Sequence, residues 1–430
     1  MTLKARLNLM MFLEYAVKGL WFPLASIFLT APVATGGLGF NETQKGNIIA
    51  IPFAVGAILS PLVGQLCDRF FPAQRTLGVL LMVTGVLKII TAQQTSYLAW
   101  LILGTAFAIL YVPTVSVTNS LAMSHLQHPK TEFPRVRVWG TIGWIAVAWV
   151  FPMLWLQHDL KFQLLPPFLK GPAHDDVTAR MIDAVMVAGG LAIAYGLFSF
   201  LFLPHTPPVK KEGARLALLD AFGLFRKPSF AILMIVSLLI AMVHTIYFFQ
   251  MGAFLVSAGL DKADVMPALS LGQISEIAVM ASLGWFLRKM GFRWCMAFGA
   301  ACFAIRYGIF AQTGLPVAVQ VAAQALHGFC FACFFAAAFI YVDRIAPREL
   351  RHSAQTLYTL VMFGLGPILA SWLNTSLAKQ AETVDGKLTL AGYGTYWQIA
   401  AFVALGCSIG FAVFFRDETE TEPSPQPGAH

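Results

Sequence analysis

Long apolar stretches and short polar breaks alternate along almost the whole chain. A helix needs roughly 20 mainly apolar residues to cross a hydrocarbon core of about 30 Å. The pattern therefore predicts an all-α membrane protein with about twelve spanning helices. The predicted spans are residues 7–28, 45–67, 76–93, 97–122, 136–156, 181–203, 230–257, 266–287, 293–312, 316–342, 351–374 and 395–415.

Composition supports this class, because 58% of the residues are hydrophobic and only 12% are charged. These values exclude a water-soluble domain and make the lipid bilayer the surrounding medium. Lys and Arg are concentrated in the loops on the side of the two termini, so both termini are expected to be cytoplasmic. The net charge of +8 reflects this bias and does not indicate a nucleic-acid partner.

A polar, Pro-rich segment divides the chain near its middle. The predicted organisation is an N-terminal six-helix bundle at 1–203, a cytoplasmic connector at 204–229, a C-terminal six-helix bundle at 230–415 and a disordered cytoplasmic tail at 416–430. Two equivalent halves predict pseudo-two-fold symmetry.

A similar loop follows the second and the eighth predicted span, which indicates an internal repeat. Glycine lets helices approach closely, and charged groups at a helix end can bond to a neighbouring terminus. The loops are therefore candidates for a conformational latch, or they act only as a cytoplasmic anchor of positive charge. The predicted latch residues are Gly64, Asp68, Arg69, Arg75, Gly284 and Arg288.

The first of these loops resembles the signature loop of the major facilitator superfamily. A finer resemblance, to the nucleoside:proton symporter family within it, lies in the run FPRVRVWGTIGW at 133–144. Shorter matches continue in order through most of the chain, at 111–114, 203–205, 219–222, 273–276, 327–331 and 353–355. The resemblance implies a proton-coupled nucleoside importer that works by alternating access around a cavity between the two bundles.

Ionisable groups inside spans are candidate functional residues. Arg137, Thr141 and Trp144 share one helical face, where they could offer polar contacts and a stacking plane, although Arg137 could also extend to the interface. Gln273 and Glu276 share a face of the eighth span. Burial favours the neutral form of Glu276, which makes it a candidate proton carrier unless a neighbouring group pairs with it.

The resemblance places His327 and Phe331 at the substrate cavity, although a lone His among apolar residues is also common in a packed core. The seventh span departs from the amide-rich face expected of the family. Its candidate substrate-binding residues are Thr245, Tyr247, Phe248 and Gln250.

Four further charged residues lie inside apolar spans. Glu14 and Lys18 are four residues apart and are expected to pair, or else to form a second part of the proton path. Lys88 and Arg306 lie towards the outer ends of their spans, where their side chains are expected to extend to the membrane surface.

Six cysteines, at 67, 295, 302, 330, 333 and 407, lie in or near spans without metal-like spacing, so neither disulfides nor a metal site is expected. The sequence lacks the motifs of hydrolases, metalloproteases and phosphate-binding loops, so neither an enzyme nor a cofactor is expected, and the proton gradient is the implied energy source.

The alternatives within transport are a sugar or a nucleobase as substrate, and a sensor that binds the solute without moving it also remains open. Short loops suit a multi-pass monomer in a bacterial inner membrane. The choice between purine and pyrimidine nucleosides stays open.

Overall fold

The chain is almost entirely helical in the computed structural model, which describes residues 1–164, 167–207, 221–347, 350–384 and 387–418. The side chains of 62–70, 129–131 and 352 are outside this description. Helices are the expected structure of a chain in a lipid bilayer, because they satisfy their own backbone hydrogen bonds.

The N-terminal half begins with a helix capped by Thr2, whose hydroxyl accepts the amide of Ala5 at 3.3 Å. The helices of this half are α1 at Leu3–Phe28, which includes a 3-10 turn, α2 at Glu42–Phe70, α3 at Ala73–Ala92, α4 at Tyr97–Ser124, α5 at Pro129–Phe151 and α6 at Val177–Phe202. A π-helical turn at Pro152–Leu156 extends α5.

In the C-terminal half, a 3-10 turn at Phe222–Arg226 precedes the first long helix. The helices are α7 at Pro228–Ser257, α8 at Val265–Ala311, α9 at Val317–Ile345, α10 at Ser353–Gln380 and α11 at Leu390–Phe414. Two short antiparallel hairpins lie in the loops, formed by β1 at Lys161–Phe162 with β2 at Leu169–Lys170, and by β3 at Thr383–Val384 with β4 at Lys387–Leu388.

Ten helical stretches of the described chain are long and apolar enough to cross a membrane. The 29-residue α2 is not among them, and the 47-residue α8 counts once although it changes direction at Gly291. Gly291 has φ 66° and ψ 176°, a backbone conformation that only glycine adopts readily. The expected total of twelve spans would follow from including α2 and dividing α8 at Gly291, and it stays a prediction.

Within the N-terminal half, α3 and α6 pack closely through facing glycines. A Cβ atom at Gly85 would come within 2.5 Å of the carbonyl oxygen of Gly189, and one at Gly189 would come within 2.7 Å of that of Gly85. Small residues at such positions let two membrane helices approach closely, which increases their van der Waals contact.

The described connector residues pack onto the N-terminal half. The backbone amide of Ala73 donates to the carbonyl of Thr206 at 3.0 Å, and the hydroxyl of Thr206 bonds to His125 Nε2 at 2.8 Å. Partial burial lowers the pKa of His125, which lies just beyond the end of α4. Most of the predicted connector, residues 208–220, and most of the predicted tail, residues 419–430, lie outside the described part of the chain.

Candidate functional site

The two halves meet around a group of aromatic and charged side chains. Trp144 of α5 and Phe22 of α1 come from the N-terminal half, with ring centroids 6.5 Å apart. Phe248 of α7 approaches Phe22 from the other half at 5.4 Å. Rings from both halves therefore form a continuous aromatic wall, which includes two of the candidate substrate-binding residues, Trp144 and Phe248.

Arg137 lies beside this wall, with its guanidinium carbon 4.1 Å from the ring centroid of Tyr15. Gly140 and Gly143, on the same helix, face Tyr15 and the backbone of Phe12, so α1 and α5 approach closely here. Arg137, Thr141 and Trp144 are all part-buried, as expected for one face that borders the space between the halves.

Arg137 lies near carboxylates from both halves. Its positive charge acts on Glu14 of α1 and on Glu276 of α8, and Tyr15 is near all three groups. Protonation of either carboxylate therefore changes the charge balance of the whole site.

Glu14 is fully buried in a cage of hydroxyl groups. Thr114 donates to its Oε1 at 2.7 Å and Thr118 donates to its Oε2 at 3.1 Å, while Tyr111 donates to its backbone carbonyl at 2.5 Å. The expected pairing with Lys18 is wrong, because among the described contacts Glu14 is bonded to α4 and Lys18 has aromatic partners. The spacing of four residues allowed a pair, but α4 supplies better donors.

Lys18 lies over two rings, with its Nζ 4.7 Å from the centroid of Phe22 and 4.3 Å from that of Phe53. Such cation–π contacts stabilise an ammonium group without a carboxylate. Because Phe22 belongs to the aromatic wall, Lys18 is part of the candidate site even though it does not pair with Glu14.

In the C-terminal half, His327 of α9 lies at the centre of a second group. Its Nε2 is 3.8 Å from Glu276 Oε2, and its Nδ1 is 3.3 Å from Arg306 Nη1. Its ring is nearly parallel to that of His244 at 5.6 Å and to that of Tyr247 at 6.2 Å. The structure therefore brings His327, Glu276 and Tyr247 together.

Phe331 continues this group at a ring distance of 6.3 Å from His327. A π-helical stretch at Cys330–Ala336 widens α9 here, and π-helical turns in α-helices are frequent at functional sites. Gln273, one turn before Glu276, has a buried side-chain oxygen without a hydrogen-bond partner among the described residues. Such an oxygen is available to accept a hydrogen bond from a bound solute.

The expectation that Lys88 and Arg306 extend to the membrane surface is wrong. Only 2% of Lys88 is exposed, and its Nζ is 3.2 Å from the ring centroid of Trp21. Arg306 is fully buried and lies 4.1 Å from the ring centroid of Tyr247. Both side chains turn towards packed helices because rings and amides there replace the lost hydration.

The predicted residues of α7 separate into two groups. Tyr247 and Phe248 belong to the candidate site, and the hydroxyl of Thr245 donates to the backbone carbonyl of Ala241 at 2.7 Å. Gln250 lies elsewhere, in a fully buried polar network at the end of the molecule opposite the termini. It accepts from Lys45 Nζ at 2.7 Å and donates to Asn374 Oδ1 at 2.9 Å.

This network joins the two halves. Lys45 also pairs with Glu42 at 2.8 Å, Glu42 accepts from Gln250 Nε2 at 2.5 Å, and Asn374 accepts from Tyr396 at 2.8 Å. Nearby, Asn47 accepts from Ser371 at 2.7 Å. The bundles are thus closed against each other at this end.

A second set of bonds closes the same end on the opposite side of the bundle interface. Trp149 donates to Ser270 at 2.7 Å, Lys262 donates to Thr178 at 2.8 Å, and Lys170 pairs with Asp264. The structure therefore has the geometry of a transporter that is shut at one end of its central interface.

The predicted latch residues lie at the other end, on the side of the termini. The helix α2 extends to Phe70, so Gly64, Asp68 and Arg69 lie in its last turns rather than in a loop, and their side chains lie outside the described residues. Arg75, Gly284 and Arg288 are exposed. The latch stays a prediction.

Several residues of the site were not predicted from the sequence, because one aromatic or polar residue in an apolar span has little weight. They are Tyr15, Phe22, Thr114, Thr118, His244 and Gln324, whose Oε1 accepts from Arg306 at 2.5 Å. Arg306 was assigned to the membrane surface. The position of His244, three residues before Tyr247 and four before Phe248, is the signal that could have identified it.

Comparison with known proteins agrees with this geometry. The sequence profile of the nucleoside H+ symporter family matches residues 1–420. The chain belongs to this family. It is 34% identical over 425 residues to YegT of Escherichia coli K12, a protein assigned as a nucleoside transporter, with 96% of this chain and 94% of YegT covered.

Two other relatives of this symporter family member support the same placement. Xanthosine permease of Escherichia coli K12 is 25% identical over 448 residues, which cover 98% of each chain. The crystal structure of the nucleoside transporter NupG superposes with a TM-score of 0.80 at 22% identity, covering 97% of this chain and 100% of that one. The latter likeness shows that this multi-pass membrane protein shares the fold of that transporter.

Proposed function

We propose that this protein imports nucleosides together with protons by alternating access, with the solute bound between the two halves. The observation that carries the proposal is that aromatic and charged groups of the two halves face each other: Phe22 contacts Phe248, and Arg137 acts on Glu276. A nucleoside offers a flat base for stacking and sugar hydroxyls for hydrogen bonding, and the site supplies partners for both.

The arrangement of the buried carboxylates supports proton coupling. Glu14 and Glu276 lie in opposite halves, and Arg137 acts on both. A carboxylate that gains or loses a proton alters the attraction across the interface, so protonation can bias the equilibrium between two conformations. We propose Glu276 as the main proton carrier and Glu14 as the second.

The orientation is part of the proposal. With both termini in the cytoplasm of a bacterial inner membrane, the closed end faces outward and the structure corresponds to a state shut to the exterior. The protein is proposed to act as a monomer, because each chain contains both halves of the binding interface.

The test is uptake of radiolabelled uridine and adenosine into proteoliposomes, with and without an inward proton gradient. Gradient-stimulated uptake that nucleosides inhibit, but ribose and free bases do not, is the expected result. Inhibition by ribose alone or by free bases alone would replace the nucleoside by a sugar or a nucleobase. Saturable binding without uptake would make the protein a sensor.

The variant Arg137→Gln sharpens this test. Loss of a hydrogen bond to a charged group costs about 1.5–3 kcal/mol, so the KM for nucleoside should rise by tenfold or more. The matched control is Arg180→Gln, because Arg180 lies at the start of α6, outside the described contacts of the site, and pairs there with Asp176 at 2.7 Å. Equal losses in both variants would contradict a binding role for Arg137.

A further inference from the structure

His327 has a different charged partner on each ring nitrogen. Arg306 approaches Nδ1 at 3.3 Å from the second segment of α8, and Glu276 approaches Nε2 at 3.8 Å from the first. The side chain of His327 is 5% exposed, so solvent contributes little to its hydrogen bonding. The two neighbours therefore decide where the imidazole carries its proton.

Arg306 can only donate hydrogen bonds, because a guanidinium has five N–H groups, no acceptor, and remains protonated in proteins. The Nδ1 atom of His327 must accept from it and cannot itself carry a proton. The proton of a neutral imidazole is then on Nε2, which faces the carboxylate of Glu276.

Protonation of the imidazole is opposed by the same geometry. A proton on Nδ1 would point at the guanidinium and place two positive charges about 3–4 Å apart in a buried site, where Coulomb repulsion is strong. Arg306 has no alternative arrangement that removes this conflict, since its Nη2 is bonded to Gln324 Oε1 at 2.5 Å and its carbon lies over Tyr247.

The other groups around His327 do not offset the charge of Arg306. On α7, His244 and Tyr247 stack against the imidazole with their ring faces, and Tyr247 donates its hydroxyl proton to Gln324 at 2.8 Å. On α9 itself, Phe331 is apolar. Glu276 is the carboxylate that the described contacts place on this ring, and it lies on the Nε2 side.

We propose that Arg306 is a positioning residue that holds His327 as a neutral imidazole with its proton on Nε2. His327 then presents a fixed N–H donor towards Glu276 and the bound solute, and it does not carry the transported proton. The part of this inference that concerns the solute rests on the proposed function. The part that concerns the imidazole does not.

Nitrogen-15 NMR of the histidine-labelled protein in nanodiscs tests the imidazole directly and needs no substrate. The nine histidines are separated by subtracting the spectrum of His327→Gln. His327 is expected to show a protonated Nε2 and an unprotonated Nδ1 from about pH 5 to pH 8, the range in which free histidine titrates. A proton on Nδ1, or titration within this range, would overturn the proposal.

Arg306→Gln removes the cation while leaving an amide near Nδ1. His327 is then expected to begin to titrate towards pH 5, because burial still disfavours the charged imidazole but the adjacent cation is gone and Glu276 remains. Arg180→Gln is the matched control and should leave the His327 signal unchanged. If Arg306→Gln does not fold, the wild-type spectrum still decides the matter. An unchanged, non-titrating His327 in folded Arg306→Gln would show that Arg306 does not set its state.

The solute part is tested by nucleoside binding as a function of pH. In Arg306→Gln the nucleoside Kd should gain an extra rise of up to tenfold per pH unit below the new imidazole pKa, because binding then requires loss of one proton. Adding His327→Gln, which supplies an N–H donor that does not titrate, should abolish that extra pH dependence. Retention of it in the double variant would refute the role of His327 as the donor.

These outcomes separate the two proposals. If wild-type protein with the expected His327 spectrum binds no nucleoside, the proposed function fails and the positioning role of Arg306 stands. If nucleoside binds but His327 titrates in wild-type protein, the reverse holds.

Discussion

The described cations Lys18, Lys88 and Arg306 lie inside spans and contact aromatic rings and amides rather than form close pairs with carboxylates. Lys88 lies over Trp21 and Phe107, at 3.2 Å and 4.3 Å from their ring centroids. Cation–π attraction of up to about 2 kcal/mol offsets only part of the cost of removing an ammonium group from water. The buried ammonium group of Lys88 is therefore expected to lower the stability of the folded protein, so a gain in stability does not explain its presence.

We expect Lys88→Met to raise the free energy of unfolding by about 1 kcal/mol or more, because methionine fills a similar volume without a charge to desolvate. Thermal unfolding in detergent, followed by size-exclusion chromatography, measures the change. Lys4→Met, at an exposed position near the start of α1, is the control and should have little effect. A lower melting temperature for Lys88→Met would mean that the ring contacts outweigh desolvation.

The two buried carboxylates differ in their surroundings, so their variants should differ too. Glu276→Gln is expected to abolish proton-driven accumulation while nucleoside counterflow continues, because the variant cannot exchange a proton but keeps a polar side chain. Glu14→Gln should reduce accumulation less. Unchanged uphill uptake by Glu276→Gln would remove it from the proton path and leave Glu14 as the candidate.

For single residues, the sequence was a better guide to which side chains belong to the site than to which groups those side chains contact. Arg137 and Glu276 were singled out because polar groups inside spans are costly, and His327 because of the family resemblance. The structure brings Glu276 near both of the others. The predicted directions of the Lys88 and Arg306 side chains were wrong. The distance of a residue from the end of its span does not show whether aromatic rings on a neighbouring helix lie within reach of its charged group.

Among the helices, α8 changes direction at a single residue, Gly291. Gly291 adopts φ 66° and ψ 176°, between a segment that carries Gln273 and Glu276 and a segment that carries Arg306. The two segments are thereby placed on opposite sides of His327. A continuous straight helix of 47 residues could not contact the same imidazole from both sides.

Gly291→Ala should therefore destabilise the protein by about 1–3 kcal/mol, the usual cost of a side chain in this backbone region. Gly308→Ala is the matched control in the same helix, because a Cβ there meets no atom within 4 Å and alanine favours the helical state. Thermal unfolding of both variants measures the difference. Equal melting temperatures would indicate that the backbone relaxes around the new side chain.

The presence of each helix was predictable from hydropathy, but the direction in which each residue of a helix points was less predictable. All four candidate residues of α7 were assigned to one cavity from their composition. The structure places Tyr247 and Phe248 there and Gln250 beside Lys45, because Gln250 follows Phe248 by two residues and so points to the other side of the helix. Helix ends were also hard to predict, since α2 continues three residues beyond its predicted end.

For the whole molecule, the decisive feature is the closed end. Gln250 joins Lys45 and Glu42 of one half to Asn374 of the other, and all four are buried. Breaking a buried polar network of this kind leaves charged groups without partners, which costs several kcal/mol. The network therefore stabilises the state that is shut at the end opposite the termini.

Gln250→Leu should shift the population towards a state that is open at this end, because water can then solvate Lys45 and Glu42. Spin labels at Thr43 and Lys379 report the separation of the halves by pulsed electron resonance, and a longer distance should appear or increase in the variant. Gln398→Leu, an exposed amide on α11, is the control. Identical distance distributions would show that other contacts hold the end closed.

The burial of this network also determines how strongly ionic strength affects the attraction between its charged groups. Lys45 is fully buried and only 7% of the Glu42 side chain is exposed, so dissolved ions cannot approach the pair. Screening weakens exposed pairs such as Asp176 with Arg180 far more than enclosed ones. The attraction that holds the pair together in the shut form should therefore change little with ionic strength.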